Sequence, residues 1–212
     1  MSKLVLTADQ IYALAYILKA NYLDYYYMSL AKRGYNNDDK LWLSENTKQL
    51  VSKGILVEDF SGDTTLDAEV EELIKPLYFS AKESSLDVNI FGEKEDHRGY
   101  RFHFLDGKIT MAKTIDDGFE IVEVGLEDIK KVISNILPGD YSADSSKVDI
   151  EFDSGKVSRI FVVKNTELDV KSIVSTFVET EGVVYEEDEN EDIYSVSGSD
   201  FEEKLYKILT EV

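Results

Sequence analysis

Apolar residues return every three or four positions in several segments, which is the spacing of a helix that buries one face. The first of these segments runs from Ile11 to Leu18. Thr7 and Gln10 lie just before and within its first turn, three residues apart, where each side chain can bond a free amide. The same spacing predicts further helices at about 40–54, with a start at Lys40 or Ser44 and a stop at Gly54, and at 66–76, 126–137, 168–178 and 201–209, the last with Ser199 as N-cap.

A period of two replaces the helical pattern after Ser84 and Ser85. Apolar and polar residues alternate over 86–90 and again over 100–104, which predicts half-buried strands. Asp106-Gly107 and Asp116-Asp117-Gly118 are turn sequences of the kind that close tight hairpins. These segments together predict a four-strand antiparallel meander that ends at Val124.

Strand patterns appear again beyond residue 147. Residues 148–152 and 157–163 flank Asp153-Ser154-Gly155 and predict a hairpin, and short strands are predicted at 182–185 and 192–196. Strands followed by a helix thus occur twice, at about 86–137 and 147–178. The chain is therefore predicted to have an α+β fold in which two related halves share one antiparallel sheet.

Four tyrosines, Tyr22, Tyr25, Tyr26 and Tyr27, lie within six residues. The composition of the segment from Tyr22 to Leu30 favours a strand, but the segment also fits a helix, and the pattern does not decide. Tyrosine offers a large, rigid contact area with a polar tip, so the cluster is a candidate binding face. The alternative is that these rings pack in the core with their hydroxyl groups at its edge.

The chain of 212 residues has 23 basic and 43 acidic side chains, a formal charge of -20. This charge repels the phosphates of nucleic acid and an anionic bilayer surface, so neither nucleic acid nor membrane insertion is expected. It either attracts a basic protein surface or keeps a cytosolic protein soluble. No apolar run approaches the roughly 20 residues that span a bilayer, and the first ten residues lack the apolar core of a signal peptide. Cysteine is absent, so disulfides and thiolate sites are excluded, and a soluble, cytoplasmic protein is expected.

Catalytic chemistry has little support in the sequence. The two histidines, His97 and His103, are six residues apart in the predicted meander, with no further metal ligand spaced nearby. Pairs such as Asp116 and Asp117 resemble turn residues, and the chain contains no nucleophile elbow, phosphate-binding loop or dinucleotide-binding turn. We expect no catalytic residues, no metal site, no cofactor and no enzymatic activity. An enzyme that uses His97 or His103 with nearby carboxylates is the weaker alternative.

An acidic run occupies residues 186–192 and has six carboxylates in seven positions. It lacks the central glycine and the distal glutamate of a calcium-binding loop. Mutual repulsion predicts an exposed loop. That loop either captures a basic partner or is merely the solvated tip of a hairpin.

The order of segments from Leu50 to Pro138 resembles the EspG-like family of ESX, or type VII, secretion-associated proteins. The resemblance rests on a helix that closes on Gly54, a helix with a terminal Pro76, the meander and a helix that ends in Leu137-Pro138. The spacer lengths agree as well. The acidic charge, the tyrosines and the lack of cysteine suit a low-GC Gram-positive version, of the kind called EsaE-like.

The resemblance implies a quasi-two-fold central sheet flanked by helices, in one EspG-like domain over 1–212 with halves at about 1–139 and 140–212. It implies a cytoplasmic bacterial chaperone that keeps secreted helical substrates soluble and presents them to the secretion ATPase, without a cofactor. Its contacts would be a sheet-proximal loop at 93–98 and a helical region at 168–178 and 201–209. With the tyrosines and the acidic run, the candidate partner-binding residues are Glu93, Lys94, Glu95, Asp96, His97, Arg98, Tyr25, Tyr26, Tyr27, Glu186, Glu187, Asp188, Phe201 and Leu205.

A second hypothesis is an immunity protein whose acidic surface neutralises a secreted toxin by complementary charge. Added salt distinguishes the two hypotheses, because a complex held by charge weakens steeply with ionic strength and one held by apolar burial does not.

Overall fold

A computed structural model describes residues 3–20, 22–32, 39–92, 94–137, 145–150, 152–168, 171–188 and 191–211. The helices are α1 (Ala8–Ile17), α2 (Tyr25–Leu30), α3 (Asp39–Ser52), α4 (Ala68–Phe79), α5 (Leu126–Ile136) and α6 (Gly198–Thr210). The strands are β1 (Lys3–Leu6), β2 (Leu56–Glu58), β3 (Thr64–Leu66), β4 (Lys82–Ile90), β5 (Asp96–Leu105), β6 (Lys108–Ile115), β7 (Gly118–Val124), β8 (Ser146–Val148), β9 (Val157–Glu167), β10 (Lys171–Thr180), β11 (Val183–Glu187) and β12 (Ile193–Val196).

Most strands of the described chain belong to one sheet. Ten of them pair in the order β1-β7-β6-β5-β4-β9-β10-β11-β12-β8, and β2 pairs separately with β3. The predicted meander is confirmed, because β4 to β7 are neighbours in this order. Asp106 and Gly107 join β5 to β6 with positive φ angles of 50° and 78°, as a two-residue hairpin turn requires. The α+β class, with an antiparallel sheet flanked by helices, is confirmed.

The predicted capping box begins α1. Gln10 donates its backbone N–H to Thr7 Oγ1 at 3.2 Å, and Thr7 donates its own to Gln10 Oε1 at 3.2 Å. Two of the amides that a helix N-terminus leaves without partners are thereby satisfied. Gly54, with φ of 70°, follows α3 as predicted.

Two compact units divide the chain, and the first comprises residues 1–80 and 103–123. It contains β1, the first four helices, the β2–β3 pair, the end of β5, β6 and nearly all of β7. Its core is apolar and contains Leu6, Ile11, Leu14, Tyr27, Leu50, Ile74, Leu77, Tyr78, Phe119 and Ile121 among others. Thr110 donates its hydroxyl to the Leu73 carbonyl at 2.8 Å, which fixes α4 on β6.

The second unit comprises residues 81–102 and 124–212. Helix α6 packs on β4 and β9, where Ser84 donates to the Leu209 carbonyl at 2.8 Å and Asn165 to the Ile208 carbonyl at 2.7 Å. Because each unit draws on two separate stretches of sequence, the units interleave along the chain. The single domain with halves at about 1–139 and 140–212 stays a prediction.

The helix predicted at 168–178 is wrong, because β10 occupies residues 171–180. The apolar residues of this segment fit a helical spacing as well as an alternating one. Several of them are β-branched, which favours a strand. Strand β10 is also paired on both sides, with β9 through Phe177↔Phe161 and with β11 through Val178↔Tyr185. Tertiary pairing thus overrides the local periodicity.

The hairpin predicted around Asp153-Ser154-Gly155 is also wrong. Strand β8 has only three residues and pairs with β12 through Val148↔Ile193. Strand β9 pairs instead with β4, through Leu86↔Val163, and with β10. The eleven residues of β9 gain far more ladder bonds from two long partners than from a three-residue one.

Three predicted boundaries need correction. Helix α4 passes Pro76 and ends at Phe79, because a proline in the last turn removes one hydrogen bond while its buried neighbours Leu77 and Tyr78 keep the turn packed. Ser197, not Ser199, caps α6 and accepts the Asp200 N–H at 3.2 Å. Strand β4 begins at Lys82, so Ser84 and Ser85 belong to the strand.

Replacing Tyr78 with phenylalanine tests how α4 is held against α1. Tyr78 is fully buried, and its hydroxyl donates to the Ile11 carbonyl at 3.0 Å. Burial also raises the pKa of the Tyr78 hydroxyl, so the group remains a donor across the accessible pH range. We expect Tyr78→Phe to lower the free energy of unfolding by about 1 kcal/mol, as urea titration measures, with no change in the α-helical circular dichroism signal. Equal stability of variant and wild type would contradict this role.

Candidate functional site

The structure separates the tyrosine cluster into core and surface residues. Tyr25 is 75% exposed on α2, whereas Tyr27 is fully buried. Tyr27 packs against Phe119 with ring centroids 4.9 Å apart, and its hydroxyl bonds His103 Nε2 at 3.0 Å. Tyr26 is half-buried, with its ring 6.0 Å from that of Phe119. The two interpretations of the cluster therefore apply to different members, and of these three only Tyr25 and Tyr26 reach the surface.

The second half of the predicted loop at 93–98 is the start of β5, which begins at Asp96. Glu93 lies outside the described residues, and Lys94, Glu95 and Asp96 are exposed. Arg98 Nε forms an ion pair with Asp96 Oδ2 at 3.1 Å, and His97 Nε2 lies 3.3 Å from Asp87 Oδ1. Asp87 is also held by the buried Arg101, at 2.9 Å. These residues form an ordered polar network at one end of β5.

The remaining predicted contacts differ in exposure. Glu187 is exposed, Glu186 pairs with Lys204, and Asp188 accepts the Asp192 N–H at 2.9 Å, which fixes the turn. Phe201 and Leu205 are fully buried. The Phe201 ring packs between Phe161 and Phe177, with centroids 5.0 and 4.9 Å away. Both side chains are needed to attach α6 to the sheet, so they do not contribute to a contact surface.

Each of the two histidines contacts a side chain that is part of the fold. His103 is buried against Tyr27, and His97 faces Asp87. Within the described stretches, no three His, Cys, Asp or Glu side chains are grouped as a metal ion requires. Among these same stretches, no helix is long and apolar enough to cross a bilayer.

An aromatic stack, made of Tyr12, Tyr16 and Trp42, joins α1 to α3 in the first unit. The Tyr12 centroid lies 5.5 Å from that of Tyr16 and 5.6 Å from that of Trp42. Trp42 donates its indole N–H to Asp9 Oδ1 at 2.9 Å. Tyr16 is 49% exposed. Tilted ring pairs of this kind add packing energy beyond the area that they bury, and the indole N–H has its hydrogen-bond partner.

A groove of about 450 Å³ opens on one side of the aromatic stack. Its described lining is mostly apolar and consists of Tyr12, Ala15, Tyr16, Lys19, Ala20, Tyr22, Leu23 and Met28. We call it the tyrosine groove. Large apolar side chains are exposed on α2 and the start of α3 as well, including Leu30 and Leu41 at 47% and 56%. Adjacent exposed apolar groups of this kind mark interaction surfaces more often than isolated ones do.

A second depression, of about 620 Å³, lies on the Trp42 side and is strongly acidic. Its wall includes four carboxylates, those of Asp9, Glu45, Asp116 and Asp117, against one ammonium group, that of Lys32. Tyr26 and Trp42 supply aromatic surface in the same wall. Carboxylates beside aromatic rings suit a lysine or arginine side chain, which gains both charge pairing and cation–π contact. We call this depression the acidic cleft.

The tyrosine groove and the acidic cleft differ in the chemistry that they offer. The groove presents mostly apolar side chains, and the cleft presents mostly carboxylates. Tyr12 and Tyr16 are four residues apart on α1, a spacing that places both rings on one side of the helix. Trp42 was not predicted as a site residue. Its signal is weak, because nothing local to α3 shows that Trp42 meets two tyrosines on another helix.

Neither the protein-family models nor the curated proteins include a match to this chain. Solved structures do match it. One is that of the Mycobacterium tuberculosis type VII secretion system chaperone EspG5 in complex with a PE25–PPE41 dimer. The TM-score is 0.67 with 10% sequence identity, and the match covers 99% of this chain and 96% of that chain. This chain therefore has the fold of EspG5, and the resemblance to EspG-like proteins inferred from the segment order is confirmed at the level of the fold.

Proposed function

We propose that this protein is a cytoplasmic chaperone of a type VII (ESX) secretion system. It binds secreted helical proteins, keeps them soluble and presents them to the secretion ATPase. The action is binding, without catalysis or a cofactor. The single observation that carries the proposal is the match over almost the whole of both chains to EspG5, a chaperone solved in complex with a PE25–PPE41 dimer.

The surface of the first unit supports the same proposal. A helical protein that must remain soluble until export carries apolar faces that need temporary cover. The tyrosine groove and the exposed side chains of α2 offer apolar cover, and their aromatic groups lose little entropy on binding. The chaperone's own surplus of acidic groups keeps the complex soluble.

The acidic cleft supports a role for charge in how the complex forms. Complementary charge raises association rates and selects partners more than it adds final affinity. A basic substrate segment is therefore expected to associate faster at low salt and to remain bound at high salt, because burial of apolar surface holds it.

Co-purification after co-expression tests the proposal. The tagged protein is co-expressed with each small helical secreted protein from its own genomic neighbourhood. We expect one of them to elute with it in stoichiometric amount and to become insoluble when expressed alone. The substrate's secretion is expected to stop in cells that lack the chaperone and to return on complementation. The result that would favour an immunity protein instead has two parts. No helical secreted protein is recovered, and the protein protects cells from a toxin encoded by a neighbouring gene.

A further inference from the structure

Phe60 lies at the tip of the hairpin formed by β2 and β3. Its relative exposure is 113%, the highest of any large apolar side chain in the described residues. Val57, on β2 of the same hairpin, is 52% exposed. We call residues 56–66 the Phe60 hairpin. A phenylalanine ring that is fully exposed to water gains favourable free energy when a partner buries it.

The turn that presents Phe60 is ordered by its neighbours. Asp59 Oδ1 accepts the Ser61 N–H at 2.8 Å, the Ser61 hydroxyl at 2.6 Å and the Asp63 N–H at 3.0 Å. Asp59 also donates its backbone N–H to the Asp63 carbonyl at 2.9 Å, and Gly62 takes a φ of 85° that closes the turn. These donors lower the pKa of the Asp59 carboxyl, so the carboxylate that organises the turn persists at neutral pH.

The base of the hairpin is anchored in the core of the first unit. Ile55 and Leu56 are 2% and 1% exposed, and Leu56 pairs with Leu66. Asp67 donates its N–H to the Ile55 carbonyl at 3.1 Å and then caps α4. A fixed base and a fixed turn hold the backbone of Phe60 in place before any partner arrives. Little backbone entropy is then lost on binding.

The charges around Phe60 define the partner's chemistry. Glu58, Asp59 and Asp63 are exposed carboxylates within three residues of the ring. These carboxylates are complementary to an apolar pocket with lysine or arginine at its rim. A second copy of this chain is a poor occupant, because each copy carries a formal charge of -20 and the two repel.

We propose that the Phe60 hairpin is a second contact for the helical substrate, which receives Phe60 in an apolar, basic-rimmed pocket between two of its helices. This inference rests on the proposed function. Ten residues of α3, a rise of about 15 Å, separate Trp42 of the aromatic stack from Ser52, and the hairpin begins four residues later at Leu56. In this proposal one substrate contacts both surfaces of the first unit. Two linked contacts raise affinity beyond either alone.

The test compares Phe60→Ala with wild type in titration calorimetry against the purified secreted helical protein identified by co-purification. We expect the dissociation constant of Phe60→Ala to rise at least tenfold, as for a central aromatic anchor. Phe79→Ala is the matched control, because Phe79 is a 41% exposed phenylalanine of the same unit that lies off the hairpin, and we expect a change within twofold. A photoreactive phenylalanine analogue at position 60 is expected to cross-link to the substrate.

Each outcome decides a different claim. The hairpin contact is overturned if wild type binds, the dissociation constant of Phe60→Ala is within twofold of the wild-type value, and position 60 gives no cross-link. The proposed function still stands in that case. Absence of binding by wild type to every candidate overturns the proposed function, and this inference with it. Because Phe60 makes so little contact with its own chain, unchanged thermal unfolding of Phe60→Ala separates lost binding from lost folding.

Discussion

Gly118→Ala is expected to destabilise the protein by about 3–5 kcal/mol, a larger loss of stability than Tyr78→Phe produces. Gly118 begins β7 with a φ of 147°, a conformation that L side chains rarely adopt. A Cβ added there would lie 2.3 Å from the Leu6 carbonyl oxygen and 3.0 Å from Thr7 Cα. Both neighbours are backbone, so β1 itself must move. Its pairing with β7 through Leu6↔Phe119 and the start of α1 at Thr7 would shift with it.

Gly107→Ala is the matched control for this prediction. Gly107 also has a positive φ, 78°, in the β5–β6 turn, but nothing lies within 4 Å of an added Cβ. Its cost is therefore conformational, about 1–2 kcal/mol. Urea unfolding of both variants measures the difference. Equal losses for the two substitutions would show that close approach of β1 to Gly118 does not constrain the fold.

Tyr16→Ala combined with Met28→Ala is expected to weaken substrate binding about 100-fold, which corresponds to about 2.7 kcal/mol. Both side chains line the tyrosine groove, and they are 49% and 38% exposed. Both expose apolar surface to a ligand, and the Tyr16 ring also packs with Tyr12 and Trp42 in the aromatic stack. Calorimetric titration with the purified substrate measures the effect.

Leu126→Ala combined with Val174→Ala provides the control for the groove. Leu126 and Val174 are 48% and 59% exposed and belong to the second unit, and neither lines the groove. Truncating them removes a similar apolar area and is expected to leave the affinity within twofold. If both double variants bind equally well, the substrate contacts some other surface.

The sequence predicted the elements whose signals are local. The capping box of Thr7 and Gln10, the Asp106-Gly107 turn and the closing glycine Gly54 depend on chemistry within a few residues, and all three are present. The meander of β4 to β7 follows from alternation and short turns for the same reason.

The errors arose where distant partners decide the outcome. Residues 171–180 fit a helical spacing, and only pairing with β9 and β11 makes them a strand. The candidate site shows the same division. The tyrosine cluster was recognised, but burial of Tyr27 against Phe119 and His103 depends on tertiary packing. The role of Trp42 likewise depends on Tyr12 and Tyr16 of another helix.

The most direct test of the chaperone proposal is sedimentation of the purified protein mixed with its candidate helical substrate, at about 0.05 M and about 1 M salt. A complex held by apolar burial survives at about 1 M salt, where the Debye length falls to about 3 Å and charge attraction is screened. We predict a stoichiometric complex at both salt concentrations. A complex seen only at low salt, or none with any secreted helical protein, would contradict the proposal.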